Sequence, residues 1–164
     1  MLFCFNAAEV FQIAIDIEDN GKAFYDKAQQ LISDVGVKTL FADLATQEVE
    51  HKKRFEALKA QLPQRAGEAT VSDPNDELYA YLRMMADQHV FVSGSALDEQ
   101  LLQVKTAADA LKLAIQFEKD SVLFFLTMQD ATCDDKGRDL IQLLVKEEQE
   151  HLKRLSLELR KLGR

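Results

Sequence analysis

Gln47-Glu48-Val49-Glu50-His51-Lys52-Lys53-Arg54 and Glu147-Glu148-Gln149-Glu150-His151-Leu152-Lys153-Arg154 are two versions of one stretch, placed one hundred residues apart. Each contains a Glu-x-x-His, Glu48 with His51 and Glu148 with His151, and the three-residue spacing puts both side chains on one face of a helix. A carboxylate and an imidazole so placed can grip one cation together. Thirty residues before each pair stands a further glutamate, Glu18 before the first and Glu118 before the second. Those six side chains fall in four separate helical patterns, and the rest of the chain reads as their scaffold.

Outward from these stretches, apolar residues recur by threes and fours, the seam of a bundle helix. Asn6 has the form of an N-cap with Glu9 three residues on, and a first helix over about 6–33 carries the seam Phe11, Ala14, Glu18, Gly21, Tyr25, Ala28, Ile32. After a turn at Asp34-Val35-Gly36, a second helix over about 37–62 carries Val37, Phe41, Leu44, Glu48, His51, Phe55, Leu58, Leu62 and stops at Pro63. A third, capped by Thr106 and reaching about 131, carries Ala107, Leu111, Ala114, Glu118, Ser121, Phe125, Met128. The fourth, over about 135–162, carries Ile141, Leu144, Glu148, His151, Leu155, Leu159, Leu162.

Between the second and third lies a crossover, 64–105, with small polar residues to Pro74 and then a helical pattern from Asp76 to about Val92. Ser93-Gly94-Ser95 breaks that pattern before one more short helix from Ala96 to Val104. His89, on the crossover, has no carboxylate three or four residues away, so it reads as a packing or surface histidine. Short turns within each half make antiparallel hairpins, and the long connection makes the flanking helices parallel. The expected fold is therefore all-α: a single ferritin-like four-helix bundle over 1–164, two antiparallel hairpins joined by a crossover containing a short helix.

The halves are copies. Residues 11–62 slid onto 111–162 without a gap give fourteen identities, Glu18/Glu118, Glu48/Glu148, His51/His151 and Arg54/Arg154 among them. Chance would not keep all six polar seam residues in register, so the bundle is expected to have a pseudo-twofold axis through its site.

Composition sets the remaining bounds. With 164 residues, 47% of them apolar, the chain can bury one substantial core. A formal charge of -8 with no basic block argues against a nucleic-acid surface or an anionic membrane and favours small cations as company. Cys4 and Cys133 stand apart with no C-x-x-C, which excludes a zinc ribbon or iron–sulfur knuckle within the chain and leaves them as ordinary thiols. The start, Met1-Leu2-Phe3-Cys4-Phe5, lacks the form of a signal peptide, and no stretch approaches the ~20 apolar residues of a membrane span. A cytoplasmic protein is expected.

Four carboxylates facing one apolar core would each cost several kcal/mol unpaired, and no lysine or arginine occupies a seam to offset them. Two divalent cations balance four negative charges. Each would take one Glu-x-x-His and one lone glutamate, with the remaining carboxylates free to bridge. Mixed carboxylate and imidazole ligation suits iron or manganese. An outer shell follows as well, because each ligating imidazole needs an acceptor for its other ring nitrogen. Antiparallel symmetry places Glu147 toward His51 and Gln47 toward His151. Small residues flank each lone glutamate, Ala14 and Gly21 around Glu18, Ala114 and Ser121 around Glu118, and they either leave room for a diatomic ligand or accommodate the facing helices.

On Glu18, Glu48, His51, Glu118, Glu148 and His151, with Tyr25 seven residues after Glu18, the chain resembles the rubrerythrin-like branch of the ferritin-like di-iron superfamily over nearly its whole length. The resemblance implies two iron ions, with manganese or a mixed pair as variants, and a site that handles hydrogen peroxide or dioxygen under oxidative stress. It also implies a role for Tyr25 beside the carboxylates, as a donor of a hydrogen bond or of an electron. Rubrerythrins carry a further glutamate where this chain has Ser121, and end in a rubredoxin-like domain with paired C-x-x-C motifs that these 164 residues lack. The first difference bears on ligand exchange at the iron, the second on the electron source, which is expected to be an external electron-donor protein. A homodimer is a further expected partner state. Beside this oxidoreductase reading stand a ferroxidase or iron-handling protein and, from another class, a metal-stabilised structural bundle.

Overall fold

The computed structural model describes residues 7–61, 77, 80, 81, 83, 84, 94–132 and 135–163. All regular structure among them is helical. Four long helices, α1 (Ala7–Leu31), α2 (Val35–Ala60), α4 (Ala107–Ala131) and α5 (Asp135–Leu162), are accompanied by a short one on the crossover, α3 (Gly94–Leu101). The helices α1 and α2 pack as one hairpin and α4 and α5 as another, with α2 against α5 and α1 against α4 between them.

The direction of each helix follows from the pairs that meet across α2 and α5. Asp43 contacts Arg154, Gln47 contacts His151, and His51 contacts Glu147, so one helix ascends as the other descends. With α2 antiparallel to both α1 and α5, and α5 antiparallel to α4, the helices flanking the crossover run parallel. This is the ferritin-like arrangement expected of the sequence.

Local chemistry sets the ends. Thr106 accepts from the Asp109 backbone at 3.1 Å while the Asp109 carboxylate accepts from the Thr106 backbone at 2.9 Å, a reciprocal cap that starts α4. At the first hairpin the structure departs from the sequence reading by two residues. The Asp34 carboxylate accepts from the Val37 backbone at 2.9 Å, so α2 begins at Val35 rather than 37. Gly36 thus lies inside the first helical turn instead of forming the loop. A β-carbon there would stand 3.1 Å from Glu158 Oε1 and 3.3 Å from Asp34 Oδ1, so a larger residue would crowd the Glu158 side chain and the capping carboxylate. Gly94, with φ of 60°, opens α3 in the left-handed region that glycine tolerates.

The seam residues form one continuous core, including Phe11, Phe41, Phe55, Leu111, Phe125 and Leu155, each at most 3% exposed. Leu162 is an exception at 38%: α5 has 28 residues against 25 in α4, so its last turn overhangs its partner. Lys27 with Asp98 and Arg83 with Asp16 tie the crossover to α1. Glu77, Ala80, Tyr81, Arg83 and Met84 are helical, whereas Asn6, Leu62, Cys4, His89 and Cys133 lie outside the described residues.

Candidate metal centre

Near its middle each long helix carries polar residues where the seam would otherwise be apolar. α1 supplies Glu18, α2 Glu48 and His51, α4 Glu118, and α5 Glu148 and His151, all buried to 3% exposure or less. The structure brings the six together as two overlapping groups, Glu18, Glu48, His51 and Glu148 in one and Glu48, Glu118, Glu148 and His151 in the other. Within each group one ligand atom per residue lies within 4.8 Å of the others. Glu48 and Glu148 belong to both, so they are the carboxylates placed to bridge. His51 Nδ1 stands 3.0 Å from Glu148, 3.4 Å from Glu18 and 3.5 Å from Glu48. His151 Nδ1 stands 3.3 Å from Glu148, 3.4 Å from Glu118 and 3.6 Å from Glu48. The two imidazoles stack with centroids 5.2 Å apart and planes within 11°.

Outside the cluster, the other ring nitrogens are fixed as the sequence led us to expect. His51 Nε2 lies 2.8 Å from Glu147 Oε2, and His151 Nε2 lies 2.9 Å from Gln47 Oε1. A carboxylate can only accept, so His51 carries its proton on Nε2. On the other side the Gln47 amide donates to Asp43 Oδ2 at 2.8 Å, which turns its oxygen toward His151 and demands a proton on that Nε2 as well. Arg54 donates to Glu147, and Arg154 donates to Asp43. A proton held on each Nε2 leaves Nδ1, which faces the carboxylates, as the atom that would ligate a cation in place of its own proton.

The fit to cations is legible in what these atoms lack. Glu18 Oε1, Glu48 Oε1, Glu118 Oε2, Glu148 Oε1 and both Nδ1 atoms are buried and have no hydrogen-bond partner. Proteins seldom leave one such atom unsatisfied, and here six converge. Electrostatics agrees. Burial, together with neighbouring carboxylates, raises the protonation range of Glu18, Glu48 and Glu118 above the ordinary carboxylate value. Burial alone would lower the imidazoles, but contact with Glu118 and Glu148 outweighs it and lifts His151 to about 11. His51 is raised likewise by Glu148, Glu18 and Glu48. Glu148 resists the upward push of burial and is held low by the two imidazoles. Without metal, the cluster holds protons where cations would bind.

Tyr25, fully buried between the ring edges of Phe24 and Phe41, donates from its hydroxyl to Glu118. Burial and the Glu118 and Glu48 charges push its phenol well above the ordinary range, so it stays a protonated donor. Phe125, its counterpart across the axis, stacks on Phe55 at 5.6 Å.

A family model described as Rubrerythrin matches residues 9–159. The chain belongs to the rubrerythrin family. A solved structure from Thermotoga maritima, of a protein assigned to the ferritin-like diiron-carboxylate proteins, is similar in fold with a TM-score of 0.70 at 20% identity. The likeness covers 98% of each chain. No curated protein sequence matches. For a rubrerythrin-family chain, the buried carboxylate–histidine cluster is a site fit for a metal pair.

Sequence reasoning missed how far the supporting network reaches. Arg54, Arg154 and Asp43 complete it, and two of the three left a signal: the arginines are identical at the hundred-residue offset, three after each histidine. Asp43 is matched by Leu143, so the repeat could not point to it. Among the described residues, no helix is long and apolar enough to cross a membrane.

Proposed function

We propose that the chain is a di-iron carboxylate oxidoreductase that reduces hydrogen peroxide or dioxygen with electrons drawn from a separate donor protein. The observation that carries this reading is the pair of buried ligand sets sharing Glu48 and Glu148, with a protonated phenol on the outer carboxylate of one set. Bound iron would supply the redox chemistry, and the mixed carboxylate and imidazole donors suit iron, manganese or a mixed pair. In this reading Glu18 and His51 hold one ion, Glu118 and His151 the other.

The protein's own groups do the remaining work. Core side chains exclude bulk water from the carboxylates, which strengthens every charge interaction among them. Reduction of peroxide to water takes two electrons and two protons. Tyr25 Oη holds a proton directed at Glu118 and is the catalytic residue of this proposal. Glu147, whose side chain is 37% exposed, joins His51 to solvent and offers a route for charge compensation at that end.

The test is anaerobic reconstitution with ferrous iron, followed by separate additions of peroxide and dioxygen with the rates compared. The oxidoreductase reading expects peroxide consumption beyond one turnover only when an external electron donor is supplied. Deposition of ferric mineral in excess of the ligand sets would identify an iron-handling protein instead. Redox-silent zinc in freshly isolated protein would identify a metal-stabilised bundle.

A further inference from the structure

Ser121 stands one helical turn beyond Glu118, is 1% exposed, and has a hydroxyl with no hydrogen-bond partner. A buried hydroxyl in a helix ordinarily has an easy solution, the carbonyl four residues back. Thr39, Thr46, Thr127 and Ser156 on exposed faces, and the buried Thr132 at the end of α4, all take it, at 2.7–3.0 Å. Ser121 makes no such bond, and at 1% exposure its hydroxyl is enclosed by the bundle.

The helix geometry says what lies beside it. Tyr25, seven residues past Glu18 on α1, reaches Glu118 on the antiparallel α4. The seam between Glu18 and Tyr25 and the seam beyond Glu118 therefore pass each other at the level of the carboxylates. Gly21 and Ser121 are the seam residues at that crossing and are equivalent under the hundred-residue repeat. One side of the axis has no side chain there, and the other has a small hydroxyl with both its donor and its acceptor capacity unused.

We propose that the Ser121 hydroxyl is a positioning residue that hydrogen-bonds a small ligand of the water, peroxide or azide class entering beside Glu118. This rests on the reading of the six residues as a metal site. Ala14, Gly21 and Ala114 are the other small residues that flank the lone glutamates, and Ser121 offers such a ligand an orientation that Gly21 cannot. A hydroxyl left without a partner is costly in a dry interior, and a partner that arrives with the ligand accounts for its retention.

Azide is the probe, titrated into the ferric-loaded full chain and followed by its charge-transfer absorption, with metal content measured on the same samples. Ser121→Ala should keep the metal content of the wild type and bind azide about tenfold more weakly. Ser121→Thr, which restores a hydroxyl, should recover part of that loss. The metal-free Ser121→Ala chain should melt no lower than the wild type, because an unsatisfied group has been removed. Equal azide affinity in Ser121→Ala at full metal content overturns the proposal, as does a lower melting temperature, which would assign the hydroxyl to the fold. Wild type that takes up no metal pair would fail the metal reading itself, an outcome the metal measurement separates from the other two.

Discussion

Across the pseudo-twofold axis, His51 rests on the carboxylate of Glu147 and His151 rests on the carboxamide of Gln47. Both acceptors are backed by an arginine, but at different removes. Arg54 meets Glu147 directly, whereas Arg154 meets Asp43, which in turn holds Gln47. One imidazole is thus one bond from an anion and the other is two. A charged acceptor makes an imidazole a stronger donor toward a cation than a neutral one does. The hundred-residue repeat gives both halves the same ligand types, and the difference at positions 47 and 147 gives their histidines unlike acceptors.

The largest expected effect strikes what the two halves share. Glu148→Ala removes a carboxylate common to both ligand sets and should cost both ions well beyond the roughly 10–100-fold typical of outer partners. His151→Ala should weaken mainly one ion. Metal analysis after equilibrium dialysis distinguishes them; a Glu148→Ala chain that retains one ion tightly would show the halves to be independent.

Metal removal comes next. In the metal-free chain the raised groups, His151 at about 11 with His51, Glu18, Glu48 and Glu118, bind protons more tightly folded than unfolded. The imidazole contribution is fully present below the ordinary 6.5 and is lost as pH rises toward 11. The three raised carboxyls add a penalty above the ordinary 4.5, while Glu148, held low, loses its contribution only as pH falls. Metal-free protein should therefore become less stable from about pH 6 to about pH 8, and the melting-temperature gap to the metal-loaded form should widen. A gap independent of pH would mean that protons and cations do not compete for these atoms.

The smallest effect sharpens the comparison itself. Gln47→Glu should bring the His151 side toward the His51 side, and Glu147→Gln should do the reverse, each narrowing the difference in affinity between the two ions by about tenfold. Competition with a chelator reads this out. If neither change moves the difference, the inequality has another source.

The fold was legible because a seam repeating by threes and fours states which helix face is buried, and the hundred-residue offset tied two such statements together. The six-residue cluster was legible for the same reason: Glu18 and Glu148 occupy core positions that periodicity alone identifies. Glu147 and Gln47 followed from symmetry plus the need of a histidine for an acceptor. The Asp43–Gln47 bond and the two arginine contacts were not legible, since they join surface-edge positions on different helices, where apolar periodicity says nothing about rotamers. The start of α2 was misplaced because Asp-Val-Gly reads equally as a turn and as a cap with a close-packed glycine behind it. The idle hydroxyl of Ser121 could be seen only once the other helical hydroxyls had been shown to bond their own backbone.

The central claim, two unlike metal positions in one buried cluster, is tested most directly by anaerobic titration of the metal-free chain with ferrous iron, with bound metal counted at each step. The account predicts saturation at two ions per chain in two resolved steps. Saturation at one ion, or no uptake by a well-folded chain, would contradict it.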